Sequence, residues 1–441
     1  MLTAFVRAFQ TPDLRKKLLI TLGLIALFRL GASLPTPGIS EKNVAFCSNA
    51  ATQGSAAGVL AIVNLLSGQA LLRLSVFALG IMPYITASII LQLLTVVIPR
   101  LETLKQEGQA GQAKITQYTR YLTVGLAVLQ STGYVELARS GTLFNGCGAS
   151  GAANPLIPNA STFTIATMVI TMVAGTTVIM WMGELITDRG VGNGMSVLIF
   201  TTVISVIPGE ILAIYRDKSP FYAAVAVLVV IAIVAFIVFM EQAQRRIPVQ
   251  YAKRMVGRRM YGGTSTYIPM KVNQAGVIPV IFASSLLYIP TLAAQLFGNQ
   301  NHPQGWVAWV ARYVEQSNSV FYMLAFFVLI VGFTYFYVSI TFNPTEVADN
   351  MKKYGGFIPG IRPGRPTSEY LQYVLSRLTA PGSVYLGIIA LFPLVALSAA
   401  GVANQFPFSG ISLLIMVGVG LDTVKQIESQ LQQRNYEGFL R

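Results

Sequence analysis

Side chains that commonly carry out catalysis or hold metal ions are scarce in this sequence. The single histidine, His302, stands beside Pro303, so neither a histidine-based metal site nor a Ser-His-Asp triad has the residues that it needs. The glycine-rich stretch DRGVGNG at 188–194 joins two apolar stretches rather than a strand and a helix, which favours a tight turn over a phosphate-binding loop. The sequence therefore predicts a protein that is not an enzyme and that uses no cofactor and no metal ion.

A cationic stretch is the second chemical feature. QRRIPVQYAKRMVGRRMYGG, at 244–263, contains six lysine and arginine side chains, although only 11% of the chain is charged. Nucleic acid, a lipid surface and another protein are the three kinds of partner that such a stretch can serve.

The elements that must position these residues are apolar. Hydrophobic residues make up 54% of the 441 residues, and the mean hydropathy is +0.60. Apolar stretches of about 20 residues match the hydrocarbon thickness of a bilayer. The sequence thus predicts an all-α polytopic membrane protein, with ten spans at 18–34, 76–98, 121–138, 162–183, 194–215, 221–240, 275–297, 320–342, 380–400 and 408–424.

Lysine and arginine are distributed unevenly between the two sides of the membrane. If the N terminus is cytoplasmic, 24 of the 31 lie in segments that face the cytoplasm, 5 lie outside, and Arg29 and Arg73 lie in apolar runs. The positive-inside rule then predicts a multi-pass protein of the inner membrane with both termini in the cytoplasm. This bias accounts for most of the basic charge without nucleic acid.

Few ionisable residues fall inside the spans. Glu184, Asp188 and Asp422 lie near span ends, and Arg29 is close enough to the outer end of its span to reach the interface. Because ion-coupled carriers usually keep ionisable groups within their spans, a passive conduit is favoured.

Three segments between spans have composition of their own. Residues 58–75 are apolar but interrupted by Ser67-Gly68, which is compatible with a re-entrant helix or with an interfacial helix lying flat. The loops 241–274 and 343–378 combine cations with glycines and aromatic residues. We expect them to be shaped surfaces for a protein partner, although loops that only set topology or bind lipid are the alternative.

The two cysteines, Cys47 and Cys147, both fall in segments assigned to the outside, where disulfides persist. They form either a disulfide across two outer loops or two separate free thiols.

Several long motifs resemble the SecY family of protein-export channels. They are SVFALGIMPYITASIILQLLTVVIPR at 75–100, QEGQAGQAKITQYTRY at 106–121, ITDRGVGNGMSVLIF at 186–200, QRRIPVQYAKRMVGRRMYGGTSTYIPMKVNQAGVIPVIFASS at 244–285 and FNPTEVADNMKKYGGFIPGIRPG at 342–364. The resemblance covers nearly the whole chain in order. It implies the central channel subunit of a Sec translocon, which passes unfolded secretory polypeptides across the membrane.

The resemblance also implies an architecture. Ten helices form two inverted five-helix halves, 1–215 and 216–441, around a central pore, and the re-entrant segment 58–75 is the plug. A lateral gate between spans 2 and 7 releases apolar segments into lipid, with polar positions at Thr86, Gln130 and Asn273. The pore ring maps onto Ile81, Ile85, Ile199, Ile281 and Ile415.

The partners implied by the resemblance are the small membrane subunits SecE and SecG, the motor ATPase SecA, the ribosome, signal peptides, nascent chains and membrane lipids. No small-molecule substrate is implied. The contact positions for the motor or the ribosome fall in the two cationic loops, at Arg245, Arg246, Lys253, Arg254, Arg258, Arg259 and Arg362.

Two other classes of protein share the apolar composition. A secondary transporter would bind a small solute, and an insertase or scaffold without a pore would conduct no ions after residues 58–75 are removed.

Overall fold

The structure, a computed structural model, describes residues 9, 11–40, 43–44, 67–71, 73–140, 156–158, 161–217, 220–251, 254–256, 259–261, 265–297, 305–314, 319–399 and 410–437. Cys47 and Cys147 lie outside the described residues, so their pairing stays a prediction. Lys253 and Arg258 also lie outside them.

Long helices dominate the described part of the chain. They are α1 (Pro12–Ser33), α2 (Met82–Val97), α3 (Pro99–Gln106), α4 (Gln109–Ser140), α5 (Thr162–Arg189), α6 (Gly194–Asp217), α7 (Pro220–Gln242), α8 (Ile278–Phe297), α9 (Gly305–Tyr313), α10 (Val320–Thr341), α11 (Pro344–Lys353), α12 (Arg365–Ala399) and α13 (Gly410–Glu437). Each of the ten predicted spans overlaps one of them.

Fewer than ten of these helices meet a test of length and apolar composition for crossing a membrane. Among the described residues, four helical stretches are long and apolar enough to cross a bilayer: Thr162–Arg189, Val320–Lys353, Arg365–Phe392 and Gly410–Gln432. The pair α2 and α3 adds a fifth if it is counted as one span bent by 100°. The protein is therefore a multi-pass membrane protein, while the number ten and the inverted halves stay predictions.

The bend between α2 and α3 has a local cause. Pro99 begins α3, and the residue before a proline is pushed away from the helical region of backbone space. Ile98 accordingly has φ −101° and ψ 110°, while its N–H still donates to the carbonyl of Leu94 at 2.8 Å.

The helices pack around one central cluster of buried apolar side chains. α6 packs between α5 and α13, α10 between α8 and α12, and α4 between α2 and α5. Most of the long helices contribute to the cluster, whose buried members are Phe28, Phe77, Ile81, Met82, Ile179, Met182, Ile186, Leu198, Ile199, Val203, Ile237, Val280, Ile281, Ala283, Phe326, Ile330, Tyr385, Leu386, Ile389, Ala390, Ile411, Leu413, Leu414, Ile415 and Val417.

Two small sheets were not predicted from the sequence. The strands are β1 (Gln244–Tyr251), β2 (Arg254–Val256), β3 (Arg259–Tyr261), β4 (Ser265–Lys271) and β5 (Gly356–Phe357), in the orders β4-β1-β5 and β2-β3. β1 and β4 form an antiparallel hairpin that starts with Gln244 opposite Lys271. In β1, Ile247 and Val249 are buried and their neighbours are exposed, which is the alternation of a strand with one face on a core.

The three-stranded sheet joins the two predicted cationic loops. Gln250 and Tyr251 of β1 pair with Phe357 and Gly356 of β5, which lies about a hundred residues further along the chain. Apolar residues from both loops, with Leu371 and Val374 of α12, form the core beneath the sheet. The loops 241–274 and 343–378 are therefore one surface.

Candidate functional site

All five isoleucines predicted for the pore ring belong to the central cluster or pack against it. Ile81, Ile199, Ile281 and Ile415 are buried members of the cluster, and the half-buried Ile85 packs against the cluster. They come from the start of α2 and from α6, α8 and α13, which are far apart in sequence. The structure thus brings together residues that the sequence could connect only through a family resemblance.

Glycine and proline place Ile81 at the start of α2. Gly80 has φ 55°, a left-handed conformation that favours glycine, and Pro83 lies in the first turn of the helix, where no N–H partner is needed. The carbonyl of Ile81 accepts from the N–H groups of Tyr84 and Ile85, each at 3.1 Å. The turn therefore places both Ile81 and Ile85 at the N-terminal end of α2.

The three polar gate residues lie on contacting elements but differ in environment. α8 contacts both α2, which carries Thr86, and α4, which carries Gln130. Thr86 and Gln130 are half-buried, and the Thr86 hydroxyl donates within its own helix to the carbonyl of Met82 at 2.9 Å. Asn273 is buried just before α8 and donates to the carboxylate of Glu241 instead.

Apart from the exposed Arg73, the described part of the predicted plug is packed inside the protein. Residues 67–71 and 73–75 form turns rather than an α-helix, and the rest of the plug, 58–66 and 72, lies outside the described residues. Leu71 and Leu74 are buried in a second apolar cluster with Met168 and Met172 of α5. Irregular backbone at membrane depth is tolerated when it is covered by protein in this way.

Hydrogen bonds hold this segment to the end of α1. The N–H and the hydroxyl of Thr36 donate to the carbonyl of Leu74 at 3.1 and 2.8 Å, and the Val76 N–H donates to the Leu34 carbonyl at 2.9 Å. The Arg29 guanidinium donates to the carbonyl of Gly68 at 3.4 Å. The sequence assigned Arg29 only to the membrane interface and missed this contact, because it links residues that are 39 positions apart.

Three of the predicted docking cations have described side chains, on the sheet and beside it. Arg245, Arg246 and Arg362 are exposed, and the guanidinium of Arg246 lies 4.9 Å from the centre of the Tyr267 ring. Arg254 and Arg259 lie in the β2–β3 hairpin, whose side chains are not described. Cations spread over a sheet with an apolar core beneath can attract an acidic partner without disturbing the fold.

A buried acid at the base of the β1–β4 hairpin was missed by sequence reasoning. Glu241, in the last turn of α7, is 8% exposed, and Asn273, between β4 and α8, is 3% exposed. The Asn273 amide donates to Glu241 Oε1 and, at 3.3 Å, to the carbonyl of Gly276. The feature of the sequence that could have indicated Glu241 is its position, as an acidic residue between an apolar span and a cationic loop.

An ion pair attaches the same hairpin base to α13. Lys271 Nζ lies 3.5 Å from Asp422 Oδ1. The Val272 N–H donates to the carbonyl of Ala243 at 3.0 Å, which closes the hairpin. The base of the sheet is thus tied to α7, α8 and α13.

Comparison with known families gives one match. A family model described as SecY matches residues 75–424. The chain is 62% identical over 445 residues to the "Protein translocase subunit SecY" of Streptomyces coelicolor, and the match covers 100% of both chains.

Solved structures show the same fold at low sequence identity. The structure titled "The structure of a protein conducting channel" superposes with a TM-score of 0.63 at 16% identity and covers 94% of this chain and 92% of that one. The channel in "Sec61 in the Canine ribosome-channel complex from the endoplasmic reticulum" superposes with a TM-score of 0.57 at 16% identity, with the same coverage.

Proposed function

Because this chain belongs to the SecY family of protein-conducting channels, we propose that its pore is closed by the isoleucine ring and that its gate opens between α2 and α8. The observation that carries this proposal is the meeting of five isoleucines, from α6, α8, α13 and the start of α2, in or against one apolar cluster.

An apolar ring suits the passage of an unfolded polypeptide. A narrow apolar constriction loses its water and blocks ions, because a dehydrated ion is very unfavourable there. An extended polypeptide is only pushed through, since isoleucine side chains offer it no polar group to bind. The same side chains therefore block ions when the pore is closed and let a polypeptide slide past when it is open.

The lateral gate is proposed to lie where α8 meets α2 and α4. Thr86 and Gln130, both half-buried, supply polar groups to this boundary. Hydrogen bonds between membrane helices contribute only about 0.6–2 kcal/mol. Each leucine, isoleucine, phenylalanine or valine of an arriving segment gains about 0.3–0.6 kcal/mol in the membrane, so a signal sequence with a dozen of them can open the boundary.

The plug, 58–75, is proposed to cover the ring on the outer side. Support comes from the buried position of Leu71 and Leu74 and from the contacts of the segment with α1 and α6. Moving it requires the loss of the Thr36 and Arg29 bonds to backbone carbonyls, which are few enough to be reversible.

The sheet and the cations around it are proposed to dock SecA or the ribosome in the cytoplasm. We also propose that both termini lie in the cytoplasm. SecE and SecG are the proposed partners within the membrane. One structurally similar channel is described in a ribosome complex, which supports a ribosome as partner. Acidic or phosphate-rich partners are steered to arginines over about 10 Å of electrolyte.

Single-channel current across planar bilayers tests the ring. Residues 60–72 are deleted from every protein, so that the plug does not hide the result. We expect Ile85→Ser/Ile281→Ser to pass ions continuously, because serine wets the constriction. The matched control, Ile85→Leu/Ile281→Leu, keeps apolar volume and should pass no more current than the plug-deleted parent. A double serine protein that is as tight as the leucine control would overturn the ring.

A further inference from the structure

The bond between Glu241 and Asn273 sits where three functional elements meet. Glu241 lies in the last turn of α7, the β1–β4 hairpin begins at Gln244, and Asn273 stands between that hairpin and α8. The closing backbone bond of the hairpin, from Val272 to Ala243, lies between the two residues. A rotation of the sheet therefore moves both partners of the bond.

Two described hydrogen bonds, both donated by its amide, hold the Asn273 side chain. Its amide reaches the carbonyl of Gly276, three residues away, but this bond is local to the turn before α8. Among the described residues, the buried Oδ1 of Asn273 has no hydrogen-bond partner. Glu241 thus supplies the described side-chain bond that attaches the start of α8 to another helix.

We infer that Glu241 is a positioning residue for the gate: it holds α8 closed through Asn273, and a partner that docks on the sheet releases α8 by separating the two side chains. The inference rests on the proposed lateral gate and adds the means by which docking reaches it. A buried carboxylate suits the role because its bond to an amide is strong while desolvated and weak once water enters.

The ion pair between Lys271 and Asp422 indicates which helix moves first when the sheet moves. It ties the hairpin base to α13, which carries Ile415, so this side of the base is held by a second contact. On the α8 side of the hairpin base, the described side-chain hydrogen bond to another helix is the one between Asn273 and Glu241. Movement of the sheet is therefore expected to free α8 before α13.

Distance measurement between spin labels tests this inference in the assembled translocase in lipid nanodiscs. Labels are attached at Gln92→Cys on α2 and Leu286→Cys on α8, both exposed positions, in a background with Cys47→Ser and Cys147→Ser. The reference shift is the lengthening that a synthetic peptide with a basic end and a twelve-leucine core produces in the otherwise unaltered protein.

We expect Glu241→Leu and Asn273→Leu to show the lengthened distance without peptide. Glu241→Gln, which keeps a carbonyl oxygen for the Asn273 amide, should retain the short distance. Asn273→Ser, which removes the amide without adding apolar bulk, gives the same test if the leucine variants do not assemble.

The outcomes separate the inference from the gate on which it rests. If the peptide lengthens the distance and the variants without the bond keep the short one, Glu241 is not the positioning residue and the gate stands. If the peptide does not move the labels at all, the gate and this inference are both overturned.

A second, independent observation concerns helix α9, at the end of α8 opposite the sheet. One face of α9 is buried, through Val307 and Val310, against Ala294 of α8. The other face carries Trp309 and Tyr313, which are 48% and 37% exposed. Their rings and that of Phe321 lie with centroids 5.2–5.9 Å apart.

The exposed side of α10 continues from this aromatic group. Phe321, Leu324 and Val328 are exposed at the spacing of one helix face, and α10 belongs to a stretch long and apolar enough to cross a bilayer. An apolar stripe on such a helix faces hydrocarbon. Trp and Tyr rings at the end of the stripe match the headgroup level, where apolar rings with a polar edge are favoured.

The geometry points to α9 as an interfacial anchor that binds the headgroup region of the bilayer and fixes the outer end of α8. With that end fixed, α8 would open by pivoting about its outer end, so that its Asn273 end moves.

Quenching of a single tryptophan by brominated phosphatidylcholine tests the anchor. The protein keeps Trp309 and carries Trp181→Phe and Trp306→Phe. The matched control removes all three tryptophans and adds Val328→Trp, about 10 Å deeper along the same stripe. We expect Trp309 to be quenched most by bromines near the headgroups and the control most by bromines deep in the chains. Quenching of Trp309 by aqueous iodide without quenching by any brominated lipid would overturn the proposal.

Discussion

The central cluster and the sheet depend on opposite physical properties for their proposed functions. In the cluster, Ile199 and Ile415 are buried among apolar neighbours, so their chemistry depends on the exclusion of water. On the sheet, Arg245 and Arg246 are exposed, and only the strands beneath them are fixed by a core. A change in the first region must disturb both fold and function, whereas a change in the second can remove function alone.

A charge in the central cluster should have the largest effect. We expect Ile415→Asp to lower the free energy of unfolding by about 3 kcal/mol or more, because an unpaired carboxylate loses its hydration there. Ile415→Leu, the control, should cost less than about 1.5 kcal/mol. Denaturant unfolding of the purified protein in micelles measures both. If the aspartate protein is as stable as the leucine protein, Ile415 faces water, and the contrast with the sheet fails.

Charge reversal beside the sheet should separate function from stability. We expect Arg362→Glu, and likewise Arg258→Glu with Arg259→Glu, to reduce motor-driven export about tenfold or more, because a like charge now meets the acidic partner. The free energy of unfolding should change by less than about 0.5 kcal/mol, since Arg362 is exposed.

The control for this charge reversal is Arg365→Glu, which changes an arginine whose side chain is 90% exposed and which is paired with Glu369. It should leave export near the parent level. Export of a model precursor into vesicles is the measurement. Equal export by the Arg362 and Arg365 variants would remove Arg362 from the docking surface.

The contact between the two regions is tested at Gly382 of α12. A Cβ at this position would lie 2.4 Å from the carbonyl oxygen of Val272, at the base of the hairpin. We expect Gly382→Ala to lower the free energy of unfolding by about 1–3 kcal/mol. Gly332→Ala, where no atom lies within 4 Å, should be neutral or raise stability by up to about 1 kcal/mol. Similar values for both would mean that α12 and the hairpin do not meet closely.

An ion pair between α4 and α5 should give the smallest effect. The guanidinium of Arg120 donates twice to Glu184, at 2.8 Å each, but the arginine side chain is 42% exposed. We expect Arg120→Ala to cost about 0.5–1 kcal/mol of unfolding free energy, less at high salt. Arg139→Ala, which breaks a looser pair with Glu136 at 3.4 Å, should cost less still. An effect that does not weaken with salt would contradict this.

Much of the fold and of the site could be predicted from the sequence. Apolar runs of about 20 residues place the helices, because hydrocarbon thickness fixes their length. The long motifs identify the family, which the comparisons confirm. Arg245, Arg246 and Arg362 are exposed, because a charged side chain stays in water when nothing offsets its desolvation, and their docking role stays a prediction.

Other features could not be predicted. The three-stranded sheet was missed because β5 has only two residues and pairs with a strand far away in the sequence, and because β1 lies in a stretch whose cations predicted a loop. Arg29 was assigned to the interface and instead reaches the Gly68 carbonyl. The described plug residues are turns, although the apolar run predicted a helix.

The sequence by itself determined that the chain is an all-α multi-pass membrane protein and to which family it belongs. Only the tertiary structure decided that five isoleucines share one cluster, that β5 completes the sheet of β1, and that Glu241 faces Asn273. The physical reason is that hydropathy and turn chemistry act between neighbours in the chain. Contacts between distant residues depend instead on how whole helices pack, and that is set by the fit of many side chains at once.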